Sequence, residues 1–370
     1  MCSAAALAST PYGKLVVAKV VAFGLMVAFG LSHYWRRRRA RGRGRTLRMP
    51  LRFEAGAAAL ALVLASALLG FPDPAREVRA QPRVAPQADP ALLSLGKRNA
   101  LSVAGASGPF VVGLTLLPPT PGPVELRVQV LGVEAGDGLR EVRIRARSPT
   151  GEPFELPLGA CGSGALGCFV GRGQMGSAGN WELAISITSN RGAISTDTTV
   201  PLPAPDGTRS LARAFSAMEG LHTASMTETL AGSVGSQPEV VTYRFAAPDA
   251  FSSSIGGSEL QVVIGTRVWR RDSSSAPMGA WPDPGFAWPA TYYRMEWGGA
   301  SAVRLLGTEE MDGVASEVVG FVLPKLPAWF ELWVGEKDAL VRRMVMRAQG
   351  HLMTDSYRGF NDPVAVEPPG

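Results

Sequence analysis

The residues best suited to chemistry lie near the C-terminus, where methionines alternate with other residues on both sides of a short turn. Met344 and Met346 precede the turn, and His351 and Met353 follow it. Alternate residues of a strand share one face, so a hairpin would bring the two pairs together. Thioether sulfur and imidazole suit Cu(I). These four residues are therefore the best candidates in the sequence for a copper site. The alternative is that these methionines line an apolar surface.

A second candidate is the pair Cys161 and Cys168 in the Gly-rich stretch GACGSGALGCFVG. In an oxidising compartment two cysteines at this spacing are expected to close a small disulfide loop. Two thiolates could instead bind Cu(I). The remaining cysteine, Cys2, has no obvious partner.

A third candidate is a group of aromatic residues around the segment WPDPGFAWPATYY. Such residues can clamp an apolar ligand or rest on a membrane interface. An alternative is that the segment is a rigid loop covering a sheet. The ligand-clamp candidates are Trp269, Trp281, Trp288, Tyr292 and Trp297.

No pattern typical of an enzyme is found. The chain has only 3 histidines, and it lacks G-x-S-x-G, H-E-x-x-H, Walker and Rossmann motifs. We therefore expect a non-enzymatic protein with no required cofactor, for which copper is a possible ligand.

The net charge of +6 depends on an arginine cluster at residues 36–52. A nucleic-acid-binding protein would spread basic residues over a folded domain, whereas these lie between two apolar runs. The cluster indicates topology, and no nucleic-acid partner is expected. By the positive-inside rule, Arg36, Arg37, Arg38 and Arg39 mark the cytoplasmic side.

The two apolar runs span residues 15–35 and 53–71, and each is long enough to cross a bilayer. With the arginines inside, the N-terminus and residues 72–370 lie on the extracytoplasmic side of a bacterial cytoplasmic membrane, in contact with its lipids. The alternative is that the second run is the core of a signal peptide cleaved after Ala80.

The stretch TPYGKLVVAK, the arginine cluster and LRFEAGAAALALVLASALLG together resemble the last two helices of the copper-resistance protein D family. The resemblance covers about the first 75 residues. It implies copper movement across the membrane, with a transporter as possible partner. The family has further helices upstream, so we expect either an earlier start of the gene or a relic that serves as an anchor.

Residues 76–107 have no periodicity and predict a flexible linker. From 108 to 203 apolar residues alternate with polar ones, as in VELRVQV and WELAISI, which is typical of half-buried strands. Several short strands in this span predict an immunoglobulin-like β-sandwich.

The sandwich segment resembles the YtkA-like family through GPFVVGLTLLPPTPGPVELRVQV, PTGEPFELPL and QMGSAGNWELAISIT. The resemblance implies a copper-related role for Met175. The alternative is that Met175 covers the edge of the core.

Residues 208–221 carry apolar side chains at helical spacing. Strand-like runs follow, such as VVTYRF, WFELWV and HLMTDSY, and predict an antiparallel meander curved around that helix. Residues 208–362 resemble the LolA and LppX type of lipoprotein carrier, through AMEGLHTASMTETL, RLLGTEEMDGVASEVVGF and LWVGEKDALVRRMVM among other segments. The resemblance implies a half-barrel with a hydrophobic ligand.

The predicted fold class is a membrane-anchored multidomain protein with two transmembrane helices, an all-β sandwich and an α+β half-barrel. We expect an extracytoplasmic protein of a copper transport or homeostasis system. The alternative is a tethered carrier or sensor that binds a lipid-like ligand in the half-barrel.

Overall fold

Antiparallel β-structure makes up most of the computed structural model, which describes residues 99–133, 138–161, 167–190, 192–271, 279–282, 287–289 and 292–369. Both predicted membrane helices and most of the predicted linker lie outside these residues. Within them, no helix is long and apolar enough to cross a bilayer.

The first nine strands form a two-sheet sandwich. One sheet has five strands in the order β1-β2-β3-β7-β6, and the other has four in the order β5-β4-β8-β9. The strands are β1 Leu101–Ser107, β2 Phe110–Leu117, β3 Gly122–Leu131, β4 Glu141–Arg147, β5 Pro153–Leu156, β6 Gly159–Ala160, β7 Cys168–Met175, β8 Gly179–Ser189 and β9 Gly192–Leu202.

The core of the sandwich is built from the alternation seen in the sequence. On β3, Val124, Leu126 and Val128 are buried, and on β8 Trp181 and Leu183 are buried in the same apolar cluster. Because successive side chains point to opposite faces, the residues between them are left at the surface or on the other face of the sheet. The prediction of a β-sandwich is confirmed, whereas its immunoglobulin-like and YtkA-like character stays a prediction.

The predicted boundary at Gly108 is too late. Strand β1, of 7 residues, covers Leu101–Ser107 inside the predicted linker range. It has no alternation because both of its faces are covered: Leu101 and Val103 lie in the sandwich core, while Ala104 packs against the second half of the chain.

The second half forms one eleven-stranded antiparallel sheet, here called the large sheet. Its strand order is β15-β14-β13-β12-β11-β10-β20-β19-β18-β17-β16. Its elements are α1 Thr208–Glu219, β10 Thr223–Ala231, β11 Glu239–Ala246, β12 Ala250–Ile255, β13 Ser258–Ile264, β14 Arg267–Arg270, β15 Gly279–Pro282, α2 Tyr292–Trp297, β16 Ser301–Met311, β17 Val314–Leu323, β18 Ala328–Gly335, β19 Val341–Ala348 and β20 His351–Arg358.

The predicted single meander is in fact two. Strands β10 to β15 form one meander and β16 to β20 the other, and the pairing of β10 with β20 joins them. Because the first and last strands of the large sheet pair at its centre, the two ends of this region of the chain lie side by side. Sequence periodicity does not reveal such a long-range pairing.

Helix α1 covers one face of the large sheet, here called the helix face. Asp206 Oδ1 accepts a hydrogen bond from the Thr208 amide at 2.7 Å and so supports the first turn of the helix. Leu211, Ala214 and Met218 are buried in the same cluster as helix-face residues of the strands. The prediction of an amphipathic helix is confirmed.

The opposite face of the large sheet, here called the outer face, packs against the sandwich. Ala104 and Val111 of the sandwich share an apolar cluster with Val322 and Trp329. Arg304 is buried at the same junction and donates from Nε to the carbonyl of Ala100 at 3.0 Å. The sandwich and the large sheet are therefore joined by buried contacts.

Candidate functional site

The four predicted copper ligands lie on adjacent strands. Met346 is the direct cross-strand partner of Met353, Met344 is opposite Asp355, and His351 is opposite Ala348. Alternation places all of them on the helix face. The structure therefore brings the four side chains onto one surface, and whether they bind copper stays a prediction.

Two of these residues already have defined surroundings. Met344 is 1% exposed, and its Sδ accepts a hydrogen bond from the Trp297 indole at 3.3 Å. Partial burial lowers the pKa of His351, which favours the neutral imidazole that binds metals. The Met346, His351 and Met353 side chains are thus chemically suited to a soft metal, whereas Met344 is engaged within the core.

Met175 is not brought together with the other candidates. It ends β7 and is fully buried in the core of the sandwich. Met344 and Met353 belong to the separate cluster of the large sheet.

Cys161 and Cys168 form a disulfide in the structure. The amide of Cys161 also donates to the carbonyl of Cys168 at 3.0 Å. The bridge closes the connection between β6 and β7, part of which lies outside the described residues.

Three of the five ligand-clamp candidates meet on the helix face. Trp288 stacks on Phe245 with ring centroids 5.2 Å apart, and Tyr292 contacts the same ring at 5.8 Å. Trp297 joins them through Tyr293 at 5.0 Å. These residues form an aromatic cluster in the core of the large sheet, where Trp288 and Trp297 are buried and Tyr292 is partly buried.

The other two clamp candidates are on the far edge of the large sheet. Trp269 is half-buried on β14, and its cross-strand partners are Val262 and Ala280. Trp281 lies on β15 next to it, but its side chain is not among those described. The topology residues Arg36, Arg37, Arg38 and Arg39 lie outside the described part of the chain.

Sequence inspection missed an acidic group on the helix face, here called the acid cluster and consisting of Glu228, Glu296 and Asp355. Glu228 on β10 and Asp355 on β20 are direct cross-strand partners. Burial, together with the negative charges of Glu228 and Glu296, raises the pKa of Asp355 to about 8. Burial also raises the pKa values of Glu228 and Glu296.

The sequence does contain a signal for this cluster. In Met226-Thr-Glu228-Thr-Leu230 and in Met353-Thr-Asp355-Ser-Tyr357, an acidic residue stands where the alternation calls for an apolar one. An acidic residue on the buried side of a strand is costly unless it is compensated. Such a position is therefore a candidate functional position.

Residues 1–68 match the family model of copper resistance protein D. No protein with a curated description matches the chain in sequence. The matched segment covers neither the sandwich nor the large sheet.

Solved structures resemble the C-terminal part. LprF from Mycobacterium bovis has 15% identity and a TM-score of 0.36, with 45% of this chain and 99% of that chain covered. Lipoprotein LppX from Mycobacterium tuberculosis has 12% identity and a TM-score of 0.31, with coverage of 43% and 97%. A LolA superfamily protein from Nitrosomonas europaea has 12% identity and a TM-score of 0.23, with coverage of 43% and 94%.

Proposed function

We propose that the protein is a membrane-anchored, non-enzymatic binding module that holds a hydrophobic ligand on the helix face of the large sheet. The observation that carries this proposal is one row of apolar side chains across five neighbouring strands. The row consists of Leu230, Met353, Met346, Phe330 and Phe321, which are successive cross-strand partners.

The row is long, and only the end formed by Phe321 and Phe330 is fully buried. Five strands at ordinary spacing extend for about 19 Å, so the row is long enough for an acyl chain to lie along it. Phe321 and Phe330 are buried and stack at 5.0 Å. Leu230 at the other end and Met346 in the middle are partly exposed, while Met353 between them is buried. Methionine adapts its shape to different apolar partners, which favours a binding surface over a rigid core.

Membrane anchoring is inferred from the two apolar runs at 15–35 and 53–71 and from the match of residues 1–68 to copper resistance protein D. By the positive-inside rule, the arginines between the runs support an extracytoplasmic position for the sandwich and the large sheet. A ligand bound there would come from the membrane lipids or from the space outside the membrane.

The proposal is tested by extracting the full-length protein, purified from its own membrane, and identifying copurified molecules by mass spectrometry. We expect a long-chain compound at near one molecule per chain. Met346→Gln places a polar amide in the row and should reduce this occupancy several-fold. Met311→Gln is the matched control, because Met311 is also partly exposed but packs on the outer face. Equal occupancy in both variants, or no long-chain compound in the wild type, would contradict the proposal.

A second candidate function is copper handling, which the match of residues 1–68 favours. Met346, Met353 and His351 would hold the ion, as a cargo passed to or from a membrane transporter. A Cu(I) titration with ascorbate as reductant should give lower stoichiometry for the Met344→Leu/Met346→Leu double variant. Leucine keeps the row apolar but removes sulfur, so ligand occupancy should persist. Unchanged copper stoichiometry would remove this site.

A further inference from the structure

The acid cluster lies directly beside the apolar row. Glu228 and Asp355 are each two residues along their strands from Leu230 and Met353. Two residues correspond to about 7 Å along a strand. A chain-like molecule lying in the row therefore has one end within reach of two carboxyl groups.

The pairing of these two acids is unfavourable when both are ionised. Directly opposite side chains have their Cβ atoms about 5 Å apart, and like charges at this spacing repel. Asp355 is only 2% exposed, so water does not compensate it. Its Oδ1 atom has no hydrogen-bond partner, and its Oδ2 atom has only a long contact of 3.4 Å from the Tyr357 hydroxyl.

A second buried polar group near the cluster is also unpartnered. Tyr293 is fully buried, and its hydroxyl has no partner in hydrogen-bond geometry although Trp288 lies beside it. The Tyr293 ring lies 6.3 Å from that of Tyr357, whose hydroxyl reaches Asp355. Tyr293 on α2 and Asp355 on β20 thus each have a buried polar atom without a hydrogen-bond partner, and Tyr357 lies near both.

The described side chains around Asp355 are acidic or neutral on each element packed against it. Strand β19 contributes the uncharged Met344. The titratable groups are Glu228 on β10, Tyr243 on β11, Tyr292, Tyr293 and Glu296 on α2, and Tyr357 on β20. Among the described side chains, none that acts on Asp355 is basic.

We propose that the acid cluster binds the cationic head group of an amphiphile whose chain lies in the apolar row, and that the ligand class is a long-chain amine. This inference rests on the proposed hydrophobic-ligand function. An ammonium group has three donors, which suit the free oxygen of Asp355 and the carboxylate of Glu228. The faces of the surrounding tyrosines also attract cations. An anionic head group would be repelled at this position.

The test uses probes that differ only at the head group, namely dodecylamine, dodecanoate and dodecan-1-ol. Binding to the full chain in a neutral detergent is followed by tryptophan fluorescence, since Trp297 and Trp288 lie at the site. At pH 8 we expect the amine to bind about tenfold more tightly than dodecanoate.

Two variants test whether Asp355 and Glu228 form the binding site of the amine. Asp355→Asn and Glu228→Gln should each lower amine affinity about tenfold and leave the alcohol unchanged. Glu228 is only partly buried, so its variant tests the proposal even if Asp355→Asn does not fold. Glu182→Gln, at an exposed acid of the sandwich, is the control and should have no effect.

The outcomes separate the two proposals. If the alcohol binds but the amine has no preference over dodecanoate, the head-group inference is wrong and the hydrophobic-ligand function stands. If none of the three probes binds, the proposed function itself fails. An amine preference that persists unchanged in both acid variants would also overturn the inference.

Discussion

The indole N–H of Trp329 donates to the hydroxyl of Ser102 at 2.9 Å, although the two residues are 227 positions apart in sequence. The Ser102 hydroxyl also contacts the Thr115 hydroxyl at 3.0 Å. All three residues are buried. This contact links the outer face of the large sheet to the five-stranded sheet of the sandwich, and the two are expected to unfold together.

Gly113 gives the first prediction, because it faces the Trp329 ring and a Cβ there would overlap it. Trp329 is 1% exposed and is held in place by its hydrogen bond to Ser102. Gly113→Ala should lower the free energy of unfolding by about 1–3 kcal/mol. Urea unfolding of the full chain in detergent measures this. Gly159→Ala is the control, since no atom lies within 4 Å of a Cβ at that position. Equal stability of the two variants would contradict the prediction.

Arg304 gives the second prediction. Its guanidinium donates to the carbonyl oxygens of Ala100 at 3.0 Å and Ala204 at 3.4 Å, and its side chain is buried. Arg304→Met fills similar space but leaves these carbonyls without this donor, which should cost about 2–3 kcal/mol of unfolding free energy. The exposed Arg270 provides the control, Arg270→Met. A loss below the error of the urea measurement would show that the contact is not stabilising.

The acid cluster gives the third prediction, which concerns pH. Asp355 has a folded pKa of about 8, raised from the ordinary value of 3.8. Between these values the unfolded chain loses the proton while the folded protein keeps it, so stability falls as pH rises. Glu228 and Glu296 also have raised pKa values, so they too lower the stability of the folded protein as the pH rises.

The measurement is the melting temperature of the ligand-free full chain at pH 5 and pH 8. We expect a fall of about 5 °C or more at the higher pH, and a smaller fall for Asp355→Asn. Asp206 and Asp338 have lowered pKa values, so their contribution to stability changes mainly below pH 5. A melting temperature that is constant or rises in the wild type would contradict the prediction.

The disulfide gives the fourth prediction. Cys161 and Cys168 are separated by 7 positions, so the bridge restricts only a short loop of the unfolded chain. Replacing both by serine should cost about 2–3 kcal/mol. Thiol titration of denatured, unreduced protein should give one free thiol, that of Cys2. Three free thiols would show that the bridge does not form in the native compartment.

Local periodicity accounts for the elements that could be predicted. In β3 and β8 every second residue is apolar, since one face of each strand packs in the sandwich core. Helix α1 is equally clear from its apolar stripe. Strand β1 was missed because Leu101–Ser107 is covered on both faces and carries mostly small residues, which leaves no alternation to read.

The sequence by itself determined which residues are strands of a half-buried sheet, where the amphipathic helix lies and which methionines share a face, because these depend on spacing along a few residues. Only the tertiary structure decided that β10 pairs with β20. This pairing places Glu228 against Asp355 and sets both beside the apolar row. Strand partners far apart in the chain are selected by the packing of the whole sheet, and no local pattern encodes that choice.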